Sequence, residues 1–184
     1  RGMGIGAPNA NYYTGTIDNA ANLAWKGSIP LAKMFSDKLG IPVAMTNDAN
    51  AAAVGEMTYG VARGMKNFIM ITLGTGVGSG IVVNGQLVYG SDGFAGELGH
   101  VIVDYSADAR VCGCGRKGCL ETYCSGTGIA RTAREMLVQD SRPSILREYN
   151  IDEITGLEVT KAAQKGDQVA TDILAFTGAT LGKA

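Results

Sequence analysis

The sequence predicts an α/β fold, and three observations carry that prediction. Apolar runs short enough to be strands alternate with stretches in which apolar residues recur every three or four positions, the pattern of layered strands and helices. Glycine-rich segments and the pair Asn84-Gly85 punctuate the alternation. With 184 residues, 46% of them hydrophobic and 18% charged, the chain is long enough to bury about 70% of its unfolded surface.

Taken in order, Met3-Gly-Ile5-Gly-Ala7 reads as an interior strand and not as a native terminus, so the chain is expected to be a piece of a longer one. Pro30 to Leu39 places Leu31, Met34, Phe35 and Leu39 on one helical face, with Pro30 in the first turn and Gly40 as the C-cap. Ile41 to Met45 is a short buried strand, Asp48 to Tyr59 an alanine-rich helix and Asn67 to Leu73 a strand. Ile81 to Val83 and Gln86 to Tyr89 form a hairpin through Asn84-Gly85. A second helical region begins at Leu120, where Ile129, Ala133, Met136 and Leu137 keep a 3.6-residue period. The polar segment 139–156 is a connection with a short turn at Ile145 to Glu148. The last segment, Gln168 to Leu181, has near-helical apolar spacing but neither a packing partner nor a stop signal before Ala184.

Composition also excludes. A net charge of −1 argues against a polyanion-binding surface, so these residues are not expected to hold nucleic acid. No apolar run approaches the roughly 18 residues of a membrane helix, and no signal-peptide pattern is present.

The strongest chemical signal is His100 followed by Cys112-Gly-Cys114 and Cys119. One imidazole and three thiolates are a closed, tetrahedral ligand set for a structural zinc, which would organise the loop Val111 to Cys119 and contribute to folding. Two disulfides among Cys112, Cys114, Cys119 and Cys124 are the alternative. They are disfavoured by the low cysteine density and by the chain's single histidine lying beside the cluster. Cys124 is left over as a small buried hydrophobe, and reduced thiols imply the cytoplasm.

Three further segments carry hydrogen-bonding chemistry. Leu73-Gly-Thr75-Gly-Val77-Gly-Ser79-Gly80 lies between two strands, so it is a strand-turn-strand loop and not a dinucleotide fingerprint opening a helix. Its backbone N–H groups and the Thr75 hydroxyl suit a polyphosphate; a plain hairpin is the alternative, and four glycines are more than a hairpin needs. Thr46-Asn47-Asp48-Ala49-Asn50 stands where a strand meets a helix, with Asp48 either an N-cap or an acid in the ligand crevice of an open sheet. Glu97 and His100, in Gly96-Glu97-Leu-Gly-His100, suit a polyol, and Glu121 follows the metal loop, where it is either a ligand group or a solvent-facing residue of a first helical turn.

In this order and combination the residues resemble the ROK family of sugar kinases and repressors, in particular its glucokinase-like members. The resemblance runs over nearly the whole chain. It implies an actin-like (ribonuclease H-like) fold of two α/β domains closing over a cleft. Residues 1–63 would be the later part of the small domain and 64–184 the earlier part of the large one. It implies Asp48 as the catalytic base, Asn47, Glu97, His100 and Glu121 as ligands of sugar hydroxyls, and Gly74, Thr75 and Gly76 facing ATP. His100 would serve sugar and zinc together. The implied activity is ATP- and Mg²⁺-dependent phosphorylation of glucose at the 6-hydroxyl. A kinase for another hexose or an N-acetylhexosamine, and a sugar-sensing regulator, are the alternatives; a homodimer is expected by resemblance alone. The family's Asp-x-Gly-Gly-Thr phosphate loop is not among these residues, so little kinase activity is expected of them by themselves.

Overall fold

Strands and helices alternate from the first residues. The computed structural model describes residues 1–18 and 24–184. They fall into two compact units, Arg1–Thr72 with Gly78–Glu97, and Leu73–Val77 with Leu98–Ala184.

In the first unit β1 (Met3–Gly6) pairs in parallel with β4 (Val43–Thr46), Gly6 opposite Thr46. The chain between them forms a two-residue ladder, β2 (Ile17–Asp18) with β3 (Ser28–Ile29), and helix α1 (Leu31–Leu39). Pro30 sits at the N-cap of α1, one residue earlier than expected, and Gly40 closes it. The apolar face read for this helix is not buried: Met34 and Leu39 are exposed, while Leu31 and Ala32 alone join the small core of Ala10, Ile17 and Met45. Helix α2 (Asp48–Tyr59) is short-chained enough to lie close on a strand, and it does so through Ala49 and Ala53. Its partner β6 (Val77–Val83) is the centre of a three-stranded sheet in the order β5 (Phe68–Leu73), β6, β7 (Gln86–Leu87). Asn84 and Gly85 make the β6–β7 turn with φ of +53° and +77°, as an Asn-Gly pair does.

Strand β6 begins four residues earlier than its apolar run suggests, so Gly78 and Gly80 lie within it. A Cβ on Gly78 would fall 2.9 Å from that of Ala49, and one on Gly80 would fall 2.6 Å from that of Ala53. Two of the four glycines therefore serve helix-on-strand packing, and only Gly74 and Gly76 belong to the turn.

The second unit is helical. The region after Leu120 is two helices and not one, α3 (Glu121–Cys124) and α4 (Gly126–Gln139), because Ser125 leaves helical geometry and caps α4 by accepting from the N–H of Gly128 at 3.0 Å. Ile145–Glu148 and Ile151–Glu153 are 3-10 turns in the connection. Helix α5 (Gly156–Gln164), absent from the sequence reading, opens on a capping box between Thr155 and Glu158. Helix α6 (Gln168–Leu181) has packing partners after all: Val169, Ala170 and Ile173 are fully buried against Ala133 and Leu137 of α4, Val159 and Ala162 of α5, and Leu146 and Ile154. Each large aliphatic side chain so enclosed contributes about 1.5–3 kcal/mol. Cys124 is buried beside Val77, Leu120 and Tyr123. No described helix is long and apolar enough to cross a membrane.

Candidate functional site

The turn between β5 and β6 closes on itself, the N–H of Gly74 donating to the carbonyl of Gly76 at 3.0 Å. Helix α4 holds it from one side: the N–H of Gly126 donates to the carbonyl of Gly74 at 2.8 Å, and the Thr127 hydroxyl to that of Thr75 at 3.2 Å. Gly74 and Thr75 are exposed and line a cavity of about 580 Å³ together with Gly126 and Thr127 at the start of α4 and Thr155 and Gly156 at the start of α5. Two helix N-termini thus open on one cavity beside a glycine turn. The positive ends of two helix dipoles favour anionic ligands there. The sequence reading missed the α4 and α5 contributions, although Ser125 before a helical period and Thr155-x-x-Glu158 are both start signals.

In the first unit the strand-to-helix junction divides the labour between two residues. Asn47, and not Asp48, is the N-cap of α2, its side chain accepting from the N–H of Ala49 at 2.8 Å. Asp48 is the first helical residue and accepts from the same N–H at 2.9 Å, yet its side chain stays exposed, with room for a hydrogen-bond donor from solution. Asn50, read as a further group of this crevice, is 3% exposed and turned inward, its amide donating to the Thr46 hydroxyl at 3.4 Å. Glu97 is exposed at the end of a loop whose Gly96 carbonyl accepts from the Ser79 hydroxyl. The same loop is pinned further back, by the Asn11 amide on the carbonyl of Asp92 at 2.9 Å and by the Tyr13 hydroxyl on that of Gly90 at 3.0 Å.

His100, Cys112, Cys114 and Cys119 come together in the second unit, one ligand atom of each lying within 4.8 Å of all the others. The Cys114 and Cys119 sulfurs are 3.6 Å apart and the Cys112 sulfur is 3.7 Å from Nδ1 of His100. A tetrahedron with zinc–sulfur bonds of about 2.3 Å has edges of about 3.8 Å, so the donor set fits zinc in chemistry and in spacing. None of the four cysteines is disulfide-bonded in the structure. The loop is shaped to present them. Cys112 N–H donates to the Arg116 carbonyl and Gly115 N–H to that of Cys112, a tight turn, while Gly118, at φ +76°, lies against Asp104 where a Cβ would collide with its carbonyl. Without a metal the thiols diverge: a hydrogen bond from the Arg116 N–H holds Cys114 down to about 6, whereas burial pushes Cys119 up to about 12 and raises Cys112 as well. A divalent cation bound there would supply the charge that three adjacent thiolates need.

Just before this loop Arg110, 6% exposed, spans to α4. Its guanidinium donates to Glu135 at 2.6 Å, to the Thr132 hydroxyl at 2.9 Å and to the carbonyl of Thr122 at 2.8 Å, and it lies 4.5 Å from the centre of the Tyr123 ring. Glu121, far from facing solvent alone, accepts from the N–H of Val77 at 3.0 Å.

Comparison with known proteins gives a family. The ROK family model matches residues 2–184. The chain belongs to the ROK family. It is 41% identical over 185 residues to a glucokinase of Halalkalibacterium halodurans, covering 100% of this chain and 56% of that protein. Among solved structures it is similar to a ROK family glucokinase from Streptomyces griseus in complex with glucose and AMPPNP, with 36% identity and a TM-score of 0.81 over 97% of this chain and 58% of that one. It is similar as well to a ROK family transcriptional regulator, a homolog of the E. coli MLC protein, with 30% identity and a TM-score of 0.83 over 98% and 44%. The fold is that of the actin-like ROK sugar kinases, and the chain spans about half the length of the curated relatives it matches.

Proposed function

We propose that the protein transfers the γ-phosphoryl group of ATP to the 6-hydroxyl of glucose. The observation that carries this reading is the cavity lined by the Gly74-Thr75 turn and by the N-termini of α4 and α5, where the positive ends of two helices beside a glycine turn suit a polyphosphate. Relatives that are glucokinases, one solved with glucose and AMPPNP, support it. A ROK kinase for another hexose or an N-acetylhexosamine would share the same groups.

In this reading Asp48 is the base. Its exposed carboxylate, seated on the first turn of α2 and steadied by the N–H of Ala49, accepts the proton of the sugar hydroxyl as the oxygen–phosphorus bond forms and the bond to ADP breaks. Asn47, Glu97, His100 and Glu121 bind the other sugar hydroxyls, and Gly74, Thr75 and Gly76 face the phosphates. Mg²⁺ would neutralise charge between phosphate oxygens. Zinc on His100, Cys112, Cys114 and Cys119 would fix the loop that carries Glu121. We assign residues 1–63 to the small domain and 64–184 to the large one. Free thiols suit the cytoplasm, and a homodimer fits the family.

A second reading, a sugar-sensing regulator, is favoured by the similarity to the regulator over 98% of this chain. The experiment that separates them is ATP-dependent phosphorylation of a hexose panel by the whole protein, with Asp48→Asn beside it. We expect glucose turnover that falls by about 10²- to 10⁴-fold in the variant while sugar binding persists. Sugar binding without turnover on any hexose would establish the regulator instead, and full activity in Asp48→Asn would remove Asp48 as the base.

A further inference from the structure

The glycine turn and the metal loop meet at one side chain. Glu121 stands two residues past the ligand Cys119; its Oε2 accepts from the Val77 N–H at 3.0 Å and its Oε1 lies 3.9 Å from the Cys112 sulfur. Gly76 is so near the same carboxylate that a Cβ there would collide with Oε2. The turn 73–77 is therefore held at both ends by different structures. Its first half hangs from α4 through Gly126 and Thr127. Its second half hangs from Glu121 alone among the side-chain bonds described, and Glu121 opens α3 directly after the Cys112–Cys119 loop, with its other carboxylate oxygen against the Cys112 sulfur.

We infer that Glu121 is a positioning residue for the phosphate turn, and that through it metal occupancy and nucleotide affinity are linked. The inference rests on the ATP reading of the cavity. Gly74 and Gly76 leave the turn with more backbone freedom than any other residues would, so ordering it around phosphates costs conformational entropy unless an anchor has already fixed it. Glu121 supplies that anchor only while the Cys112–Cys119 loop leading into α3 is ordered, and that ordering is what a tetrahedral metal would provide. Linkage is reciprocal: the factor by which zinc tightens the nucleotide is the factor by which the nucleotide tightens zinc.

The test uses the whole protein without sugar, so that a sugar-binding role of Glu121 does not enter. AMPPNP affinity is measured by calorimetry on zinc-loaded protein, and zinc affinity by competition with a chromophoric chelator, with and without saturating AMPPNP. We expect AMPPNP to raise zinc affinity about tenfold in the wild type, within the range usual for coupled sites. Glu121→Ala, loaded with zinc, should bind AMPPNP about tenfold more weakly and show no linkage. Glu121→Gln, which keeps an acceptor for the Val77 N–H, should recover most of both. Should Glu121→Ala not fold, Gly76→Ala, which displaces the same carboxylate from the turn, carries the same expectation. Linkage of wild-type size in either variant overturns the inference while leaving the ATP site standing. Failure of the wild type to bind AMPPNP at all overturns the ATP reading and the inference with it.

Discussion

Gly80 lies beneath Ala53 so closely that a methyl group on it would stand 2.6 Å from the alanine's own. The contact is what lets α2, and with it Asn47 and Asp48, rest on β6. Gly80→Ala should therefore force the helix off the strand, at a cost of about 1–3 kcal/mol. Gly55, in the same helix, has nothing within 4 Å of the equivalent position. Gly55→Ala should instead stabilise by about 0.5–1 kcal/mol, since alanine loses less backbone entropy in a helix. Urea denaturation of the two variants should move in opposite directions; a shared sign would mean that α2 does not pack as described.

The same pair of residues shows how far the sequence could be read. Four glycines in eight positions between two strands looked like one loop, because a glycine required by a neighbour distant in sequence is indistinguishable from one required by a turn. Only the approach of Ala49 and Ala53 separates Gly78 and Gly80 from Gly74 and Gly76. Asp48 to Tyr59 was legible to the residue from its run of alanines, although its cap is Asn47 and not the Asp48 that the sequence suggested. The grouping of His100, Cys112, Cys114 and Cys119 was legible from residue type and order, before any distance was known. Helix α5 lay hidden in a polar stretch although Thr155 and Glu158 announce it, and α6 found its partners in α4 and α5, contacts that periodicity cannot foresee. Most of the cavity was hidden for the same reason: it is assembled from the starts of two helices about 30 residues apart, which no local pattern joins.

Arg110 should be the least replaceable charged residue of the second unit. Its guanidinium, buried against Tyr123, satisfies the carbonyls of Thr122 and Gly128 and the Thr132 hydroxyl, besides pairing with Glu135. Arg110→Met removes the guanidinium donors to the Thr122 carbonyl and the Thr132 hydroxyl, while the Gly128 carbonyl keeps the Thr132 hydroxyl, and should cost about 3 kcal/mol. Glu135 is 44% exposed and is also bonded to Arg131, so Glu135→Gln should cost well under half as much. Equal losses in thermal unfolding would place the energy in the ion pair instead of in the buried carbonyls.

One zinc per chain is expected on His100, Cys112, Cys114 and Cys119. Cobalt(II) taken up in its place should give the visible bands of a tetrahedral site with three thiolates, and Cys114→Ser should remove most of their intensity. Zinc affinity in that variant should fall by more than the 10- to 100-fold typical of losing a supporting residue, with loss of thermal stability alongside. Cys124→Ser should leave the cobalt spectrum unchanged, because Cys124 faces the Thr177 carbonyl at 3.5 Å and takes no part in the cluster. A spectrum altered by Cys124→Ser and not by Cys114→Ser would reassign the ligands.

Asp167 should make the stability of the helical unit depend on pH in the acid range. Burial opposes its ionisation, but the N–H groups of Ala170 and Ile145 and the Ser144 hydroxyl outweigh burial and hold the carboxyl below its ordinary range. A carboxyl depressed in the folded state adds stability that is present above the unfolded value of about 3.9 and is lost as pH falls through the lower folded value. Asp167→Asn keeps the shape but accepts more weakly, and should cost about 1 kcal/mol at pH 7. The gap between wild type and variant should hold from about pH 7 to about pH 5 and close below about pH 4, as the wild-type carboxyl takes up its proton. Denaturation curves across that range check the sign: a gap that widened with acid would mean that Asp167 is protonated in the folded protein and donates to its partners instead of accepting from them.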